Sequence, residues 1–353
     1  MKSFLYGLRV CLGIILVPII LLAQEEADLL PTNFATDITN SGTNAASFLT
    51  IGVGARAQAM GNASIAINAD ASALYWNPGA VASLNGFSLV VDHTEWLADT
   101  KLDFIGMVFP IPRVGAFGVS VLSLQSISDQ PVRTILQPDG TGETYSAGNL
   151  SLAATLSLSL TDRFAIGVTG KYINESLWNE TAATFAADIG VVYQTRLPGL
   201  RLAATISNFG GDMKLSGRDL VRPYDDDPGN YSNDRLNVAL KTDAFPLPLY
   251  FRFGFGYTLL NTGMNQFLVT ADLLHPSDSN EAINFGAEYI AFKTLSLRGG
   301  YRSIFEKDRL GGMTFGVGLS RPLIGGLNLG FDYSYADWGI LENTQRISIS
   351  LSY

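Results

Sequence analysis

A strict alternation of apolar with small or polar residues runs through most of this 353-residue chain. In the segment 150–160, leucine or alanine occupies every second position, and serine, threonine or alanine fills the positions between. The segments 251–257 and 327–335 repeat the pattern with phenylalanine, tyrosine and leucine. A period of two is typical of β-strands, and about ten residues per strand suit a tilted crossing of a lipid bilayer.

The face opposite the apolar one is also poor in charge. Charged residues make up 16 % of the chain, and the mean hydropathy is +0.20. Beyond the N-terminus, no apolar run reaches the roughly eighteen residues that a transmembrane helix requires. The pattern therefore predicts an all-β fold, a transmembrane outer-membrane β-barrel with an apolar exterior and a polar, glycine-lined lumen.

The N-terminal residues 1–23 are interpreted as a signal peptide. The basic residues Lys2 and Arg9 precede the apolar segment 11–22, and Ala23 precedes the expected cleavage site. Cys11 is the only cysteine, so the mature chain would have no disulfide and no thiolate site. The net charge is −9, and no basic patch indicates binding to nucleic acid.

The number of strands follows from counting and parity. The fifteen candidate strands are 86–93, 101–110, 114–126, 146–160, 163–175, 181–195, 200–209, 234–243, 249–259, 266–274, 281–292, 295–304, 311–320, 327–336 and 344–353. A wall with both ends of the chain in the periplasm needs an even number of strands. The short turns before and after the segment 234–243 all fall on the periplasmic side only if this segment lies outside the wall. We place it in a long outer loop near 210–248. We therefore predict about fourteen antiparallel strands within 86–353.

The last candidate strand indicates a membrane destination. Ile349, Leu351 and Tyr353 lie on one face and alternate with serine. A terminal aromatic residue on the lipid face resembles the signal that barrel-assembly machinery reads, so we interpret these three residues as a C-terminal assembly signal.

The residues before the first strand differ from the wall. Asp70 is a suitable N-cap for a short helix ending near Leu74, and Asn77 followed by Pro78 repeats the arrangement. Two such helices are too short to be stable alone. We predict that 24–85 contain an N-terminal plug.

Several segments resemble the PorV/PorQ family, and the likeness extends over nearly all of the mature chain. They are IGVGARAQAMGNASIAINADASALYWNPGAVASL (51–84), HTEW (93–96), LTDRF (160–164), GKYI (170–173), SNFGGDMKLSGRDL (207–220), DDDPGN (225–230), PLP (246–248), HPSDSNEAINFGAEY (275–289), LRGGY (297–301) and the last strand. The Asn-Pro helix also resembles the hatch of FadL-type barrels. The resemblance implies a fourteen-stranded FadL-like barrel that serves type IX secretion, with the translocon or secreted C-terminal signal domains as partners.

Other motifs favour simple structural readings. Gly52 and Gly54 lack the βαβ unit of a dinucleotide site. His93 and His275, the only histidines, come without a nucleophile motif and are expected at outer strand ends. The group Asp225, Asp226 and Asp227 lacks the glutamate of a calcium loop, so we interpret it as an acidic loop that contacts a partner. We predict no catalytic, cofactor or metal site.

The alternation also places eight charged residues on the lumen face. They are Lys171, Asp188, Arg252, Asp272, Glu288, Arg298, Arg302 and Asp332. Selective pores usually carry one dominant sign, whereas these charges balance. We therefore expect ion pairs inside a plugged barrel rather than an open channel.

Three functional hypotheses follow. The first is a non-enzymatic outer-membrane component of protein secretion or surface attachment. The alternatives are a FadL-like transporter of hydrophobic small molecules and a purely structural barrel. In each case the outer-membrane lipid is a partner.

Overall fold

The computed structural model describes residues 42–67, 70–84, 86–225, 229, 236–306 and 311–353. All of them belong to the second of the two units into which the chain divides, Asn40–Tyr353. The predicted signal peptide 1–23, as well as Asp226 and Asp227, lies outside the described residues. Among the described residues, no helix has the length and hydropathy of a membrane span.

Strands dominate the described chain. They are β1 Ser88–Glu95, β2 Lys101–Ile111, β3 Gly115–Pro131, β4 Thr144–Thr161, β5 Phe164–Leu177, β6 Glu180–Gln194, β7 Leu200–Gly210, β8 Met213–Lys214, β9 Ser216–Gly217, β10 Val221–Tyr224, β11 Leu236–Ala239, β12 Ala244–Phe245, β13 Tyr250–Asn261, β14 Gln266–Pro276, β15 Ala282–Ala291, β16 Leu295–Ile304, β17 Met313–Pro322, β18 Asn328–Asp337 and β19 Asn343–Ser352.

Fourteen of these strands, β1–β7 and β13–β19, form a closed antiparallel barrel. The last strand, β19, closes it by pairing with β1, where Ser352 lies opposite Ser88. β7 pairs with β13 across the longest connection in the chain. The predicted barrel and its strand number are confirmed.

Residues 236–243, the described part of the segment 234–243, are not part of the wall. Its strand β11 pairs only with β10, as a separate two-stranded sheet, and β12 pairs with β8. Both pairs lie in the excursion between β7 and β13. All four residues of β10 and of β11 are exposed, so this hairpin adds no face to the barrel core.

The two ends of the barrel differ in their connections. One end, the turn end, carries the short connections 112–114, 162–163, 195–199, 262–265, 292–294 and 323–327, together with the start of β1 and the end of β19. The other, the loop end, carries the connections 96–100, 132–143, 178–179, 211–249, 277–281, 305–312 and 338–342.

The wall has the predicted two faces. In β4, Leu152 and Leu156 are exposed on the outside, whereas Ser151, Thr155 and Ser157 are buried inside. Phe251 and Phe253 of β13, Phe315 of β17 and Phe331 of β18 are likewise exposed on the outside. All eight charged residues predicted for the lumen face are buried or half-buried.

Residues 46–67 and 70–83, here called the plug, fill the lumen. They form two short α-helices, Ala55–Ala59 and Ala73–Trp76, and two 3₁₀ helices, Ser47–Thr50 and Pro78–Ser83. Further 3₁₀ turns lie in the connections at Leu97–Asp99, Arg218–Leu220, Ile324–Gly326 and Gly339–Leu341.

The first predicted helix begins later than expected. The backbone NH of Ser72 donates to Asp70 Oδ1 (2.8 Å), and that of Ala73 donates to Asp70 O (3.2 Å). This turn precedes the helix Ala73–Trp76, so Asp70 stabilises the turn before the helix and is not the N-cap residue. Residue propensities alone do not distinguish a turn that a side chain closes from a helix of four residues.

The plug runs from the loop end to the turn end. The NH of Ala45 donates to Pro246 O, and that of Ala46 donates to Glu175 Oε1, both at the loop end. The plug ends at Ser83, close to the start of β1. The sequence predicts both ends of the chain on the periplasmic side. The two ends of the wall share the turn end, whereas the described chain begins at the loop end, and the residues before 42 lie outside the described ranges.

Candidate functional site

Carboxylates of the wall hold the backbone of the plug. Asp272 Oδ2 accepts from the NH groups of Ser64 (2.7 Å) and Ile65 (3.1 Å). Asp92 Oδ2 accepts from the NH of Gly54 (3.0 Å). Both carboxylates are 1 % exposed. Buried backbone NH groups need an acceptor, and these wall oxygens supply one, so the contacts fix the path of the plug.

A chain of four charged side chains joins the plug to three strands. Arg56 of the plug donates through Nε to Glu288 Oε1 (2.9 Å), and Arg298 donates to the same oxygen (2.7 Å). Arg298 also pairs with Asp332. The predicted internal ion pairs are therefore present here, and they extend into the plug through Arg56.

A second pair braces the opposite side of the lumen. Lys171 Nζ lies 2.6 Å from Asp188 Oδ2 and donates to Asn208 Oδ1 (2.8 Å). Asn208 has a positive φ of 65° at an irregularity of β7, and its NH donates to Asp188 Oδ1 (2.7 Å). The carboxylate thus satisfies a backbone donor that the neighbouring strand leaves free.

Among the described residues, Arg252 and Arg302 form none of the expected ion pairs. Arg252 lies over the rings of Trp76 (5.3 Å to the centroid) and Tyr250 (4.7 Å). Arg302 lies 3.8 Å from the centroid of Trp338. Their charge is therefore met by aromatic faces, which attract cations.

Asn77 is fully buried at the junction of plug and wall. Its Nδ2 donates to Ile65 O (2.9 Å) and to Val191 O (3.1 Å), and its Oδ1 accepts from the NH of Gly79 (2.9 Å). Pro78 follows as the first residue of its 3₁₀ helix. Both residues lie inside the barrel, against β5 and β6.

Glycines of the wall make room for the plug. A Cβ atom on Gly167 or Gly190 would overlap Pro78 or Asn77, and one on Gly286 would lie 2.5 Å from Met60 O. The glycine-lined lumen predicted from alternation therefore packs directly against the plug backbone.

The middle of the lumen is closed to solvent. Met60 is 0 % exposed, and Glu288 and Arg346 are 1 % exposed. In the plug, the hydroxyl of the buried Tyr75 donates to Leu49 O (2.8 Å).

Below this layer, a polar vestibule of about 330 Å³ opens toward the turn end. Its lining includes Arg56, Asp70, Arg201, Glu288 and Asp332. The charges are mixed, so the vestibule favours neither cations nor anions.

The cavities at the loop end include the loop-end groove and the wall gap. The loop-end groove, about 600 Å³, runs between 95–101 and 340–345. There, Trp96 packs edge-on against Trp338 (5.0 Å between centroids), and Ile340 is 85 % exposed. The wall gap, about 320 Å³, lies where β7 and β13 part, between Asn44, Phe209 and Leu249.

The remaining predicted residues lie at the barrel surface. His93 pairs with Asp103 (2.6 Å) and His275 with Glu281 (3.0 Å), both exposed at loop-end strand ends and separated by five strands of the wall. Asp225 directly follows β10. Ile349 and Tyr353 point outward. Within the described ranges, no group of three or more acidic, histidine or cysteine side chains is arranged to hold a metal ion.

Sequence reasoning missed Arg56, Asp92 and Arg346. Arg346 shares the inward face of Ser348 and Ser350, so the alternation could have found it, and it lies 3.6 Å from Asp92. Arg56 is in the plug, where no period assigns a face.

Comparison with known proteins gives a family and a fold. A family model described as "Type IX secretion system protein PorV" matches residues 34–216, slightly more than half of the chain. No curated protein sequence matches significantly.

Among solved structures, the toluene transporter TbuX of Ralstonia pickettii superposes with a TM-score of 0.53 at 15 % identity, covering 86 % of this chain and 97 % of that one. The toluene transporter TodX of Pseudomonas putida gives 0.53 at 14 % identity, covering 85 % and 97 %. At these identities the likeness shows the fold alone, a FadL-like outer-membrane barrel.

Proposed function

This chain belongs to the PorV family, and on that premise we propose that it is a non-enzymatic outer-membrane component of type IX protein secretion or surface attachment. In this role the barrel is a membrane-embedded docking platform, and its partner is the translocon or a secreted protein with a C-terminal signal domain.

The plugged lumen is the observation that best supports a docking role. Arg56 and Glu288 tie the plug to the wall through a buried ion pair. Removing one member of such a pair typically costs about 3–5 kcal/mol, because the other charge stays buried without compensation. A plug held in this way suits a platform better than a conduit.

The loop-end groove supports the choice of surface. Its lining combines the apolar Leu97, Ile340 and Leu341 with the acidic Glu95 and Glu342. Apolar side chains interspersed with polar ones are typical of protein interfaces. The partner surface would be apolar with basic residues at its margin.

Co-purification from native membranes tests this proposal. Tagged chain should recover a translocon subunit or a secreted protein that carries a C-terminal signal domain. Recovery of neither, with the barrel folded, would contradict the secretion role.

The wall gap favours a second function, a transporter of hydrophobic small molecules. Its lining combines the exposed Phe209 and Leu249 of the wall with Asn44, which lies two residues before the plug. TbuX and TodX, which share the fold, are toluene transporters by description. Against this function, the vestibule beyond the plug is lined by charged Arg56, Glu288 and Asp332.

Uptake into liposomes distinguishes the two functions. A transporter would carry toluene into vesicles, and Leu249→Trp, which fills the wall gap, would stop it. The docking platform would give no uptake above that of protein-free vesicles.

A further inference from the structure

The two ends of the barrel carry opposite charge. Exposed cations lie at or beside five of the six turn-end connections, namely Arg113, Arg163, Arg196, Lys293 and Arg321. Asp162 is the only acidic residue in these connections. At the loop end acidic residues predominate, with Asp99, Asp139, Glu143, Glu281 and Glu342 among the exposed ones.

The turn-end cations lie where the apolar belt ends. Arg113 precedes Val114, Arg196 precedes Leu197 and Phe292 precedes Lys293, and each of these apolar side chains is exposed. Arg321 continues the outward column of β17 below Val317 and Leu319. Long basic side chains at such a boundary place their stems against acyl chains and their charges among headgroups.

These five cations are free to bind an external anion. Within the described part of the chain, ion pairs involve other basic residues and none of these five. In the wall they follow one another between β2 and β3, β4 and β5, β6 and β7, β15 and β16, and at the end of β17. They are therefore spread over most of the turn-end rim instead of forming one patch.

We propose that this basic ring binds the phosphate groups of anionic phospholipids in the leaflet that meets the turn end. A protein partner would cover one sector of the rim, whereas lipids surround the whole circumference. Short turns of such barrels face the periplasm, where the leaflet is phospholipid. Basic residues near a membrane surface attract anionic lipids, and salt weakens the attraction.

Lipid retention tests the proposal. The full chain is reconstituted in vesicles of equal parts phosphatidylcholine and phosphatidylglycerol, extracted mildly, and its retained lipids are quantified by mass spectrometry. The turn-end variant is R113Q/R163Q/R196Q/K293Q/R321Q. The control, K101Q/R133Q/K214Q/R222Q/K241Q, removes the same charge from exposed loop-end positions.

We expect the wild type and the control to retain phosphatidylglycerol over phosphatidylcholine by roughly threefold or more, decreasing with salt, and the turn-end variant to retain both equally. If the fivefold variant does not fold, the variant R196Q/K293Q should lose part of the preference. An unchanged preference in the turn-end variant, or none in the wild type, overturns the proposal. An acidic periplasmic protein that binds the ring in place of lipid would also overturn it.

Discussion

Asn77 of the plug lies against Gly190 of the wall so closely that a Cβ atom on Gly190 would overlap the Asn77 side chain. The approach is mutual, since a Cβ atom on Gly79 would lie 2.6 Å from Gly190 O. The hydrogen bonds of Asn77 to Ile65 and Val191 depend on this fit.

Gly190→Ala should therefore loosen the plug. Overpacking of this kind costs about 1–3 kcal/mol, and the cost should appear in the free energy of unfolding measured in urea. Gly170→Ala is the matched control, because Gly170 has open space around it and should change stability by about 0.5 kcal/mol or less. Equal effects of the two substitutions would show that plug and wall are not in contact at Gly190.

Glu288→Gln should destabilise the barrel far more than the same substitution at an exposed glutamate. The change leaves Arg56 without its carboxylate in a buried layer, at a cost of about 3–5 kcal/mol in the free energy of unfolding. Glu281→Gln removes an exposed partner of His275 and should cost about 1 kcal/mol or less. A small effect of Glu288→Gln would mean that the charged chain does not brace the plug.

The purified wild-type barrel should pass no steady ion current across a planar bilayer. Met60 and Glu288 are inaccessible in the mid-lumen layer, so ions have no hydrated path past them. Deleting residues 46–83 should open a conducting pore in single-channel recordings. Steady conductance of the intact chain would contradict a plug that closes the lumen.

Tyr353→Ala should reduce assembly in cells without changing the stability of the assembled barrel. Tyr353 is 70 % exposed on the outside, so its loss removes little packing. The measurement is the fraction of chain that runs as a heat-modifiable, folded band in outer-membrane extracts. Phe305→Ala, at a site 79 % exposed near the loop end, is the control. Equal yields of the folded band from Tyr353→Ala and Phe305→Ala would contradict the assembly role of the last strand.

Much of the wall was predictable because each strand repeats one physical rule. Alternation assigned Lys171, Asp188 and Glu288 to the lumen, and parity excluded 234–243 from the wall. Neither argument identifies partners, since alternation specifies a face and not what fills the space beyond it. The carboxylate of Asp272, for example, accepts hydrogen bonds from backbone NH groups of the plug, which are about 200 residues away in sequence.

The plug and the loop end were less predictable for a different reason. Helices of four or five residues have no amphipathic period, so no pattern could place Arg56 against Glu288. The loop-end groove joins 95–101 to 340–345, which are adjacent only because β19 closes the barrel on β1. Closure was expected, but the pairing of Trp96 with Trp338 depends on loop conformations that no period describes.

Partner recovery from native membranes, compared between two variants, tests the docking role most directly. Ile340→Ser/Leu341→Ser removes two exposed apolar side chains of the loop-end groove. Ile135→Ser/Leu136→Ser removes the same two residue types from another loop-end connection, where both side chains are also exposed. A docking platform predicts that the wild type and the second variant recover a translocon subunit or a secreted protein with a C-terminal signal domain, and that the first variant recovers at least roughly tenfold less, as expected when an interface centre is lost. Equal recovery by both variants would contradict docking at the groove, and no such partner with the wild type would contradict the secretion role itself.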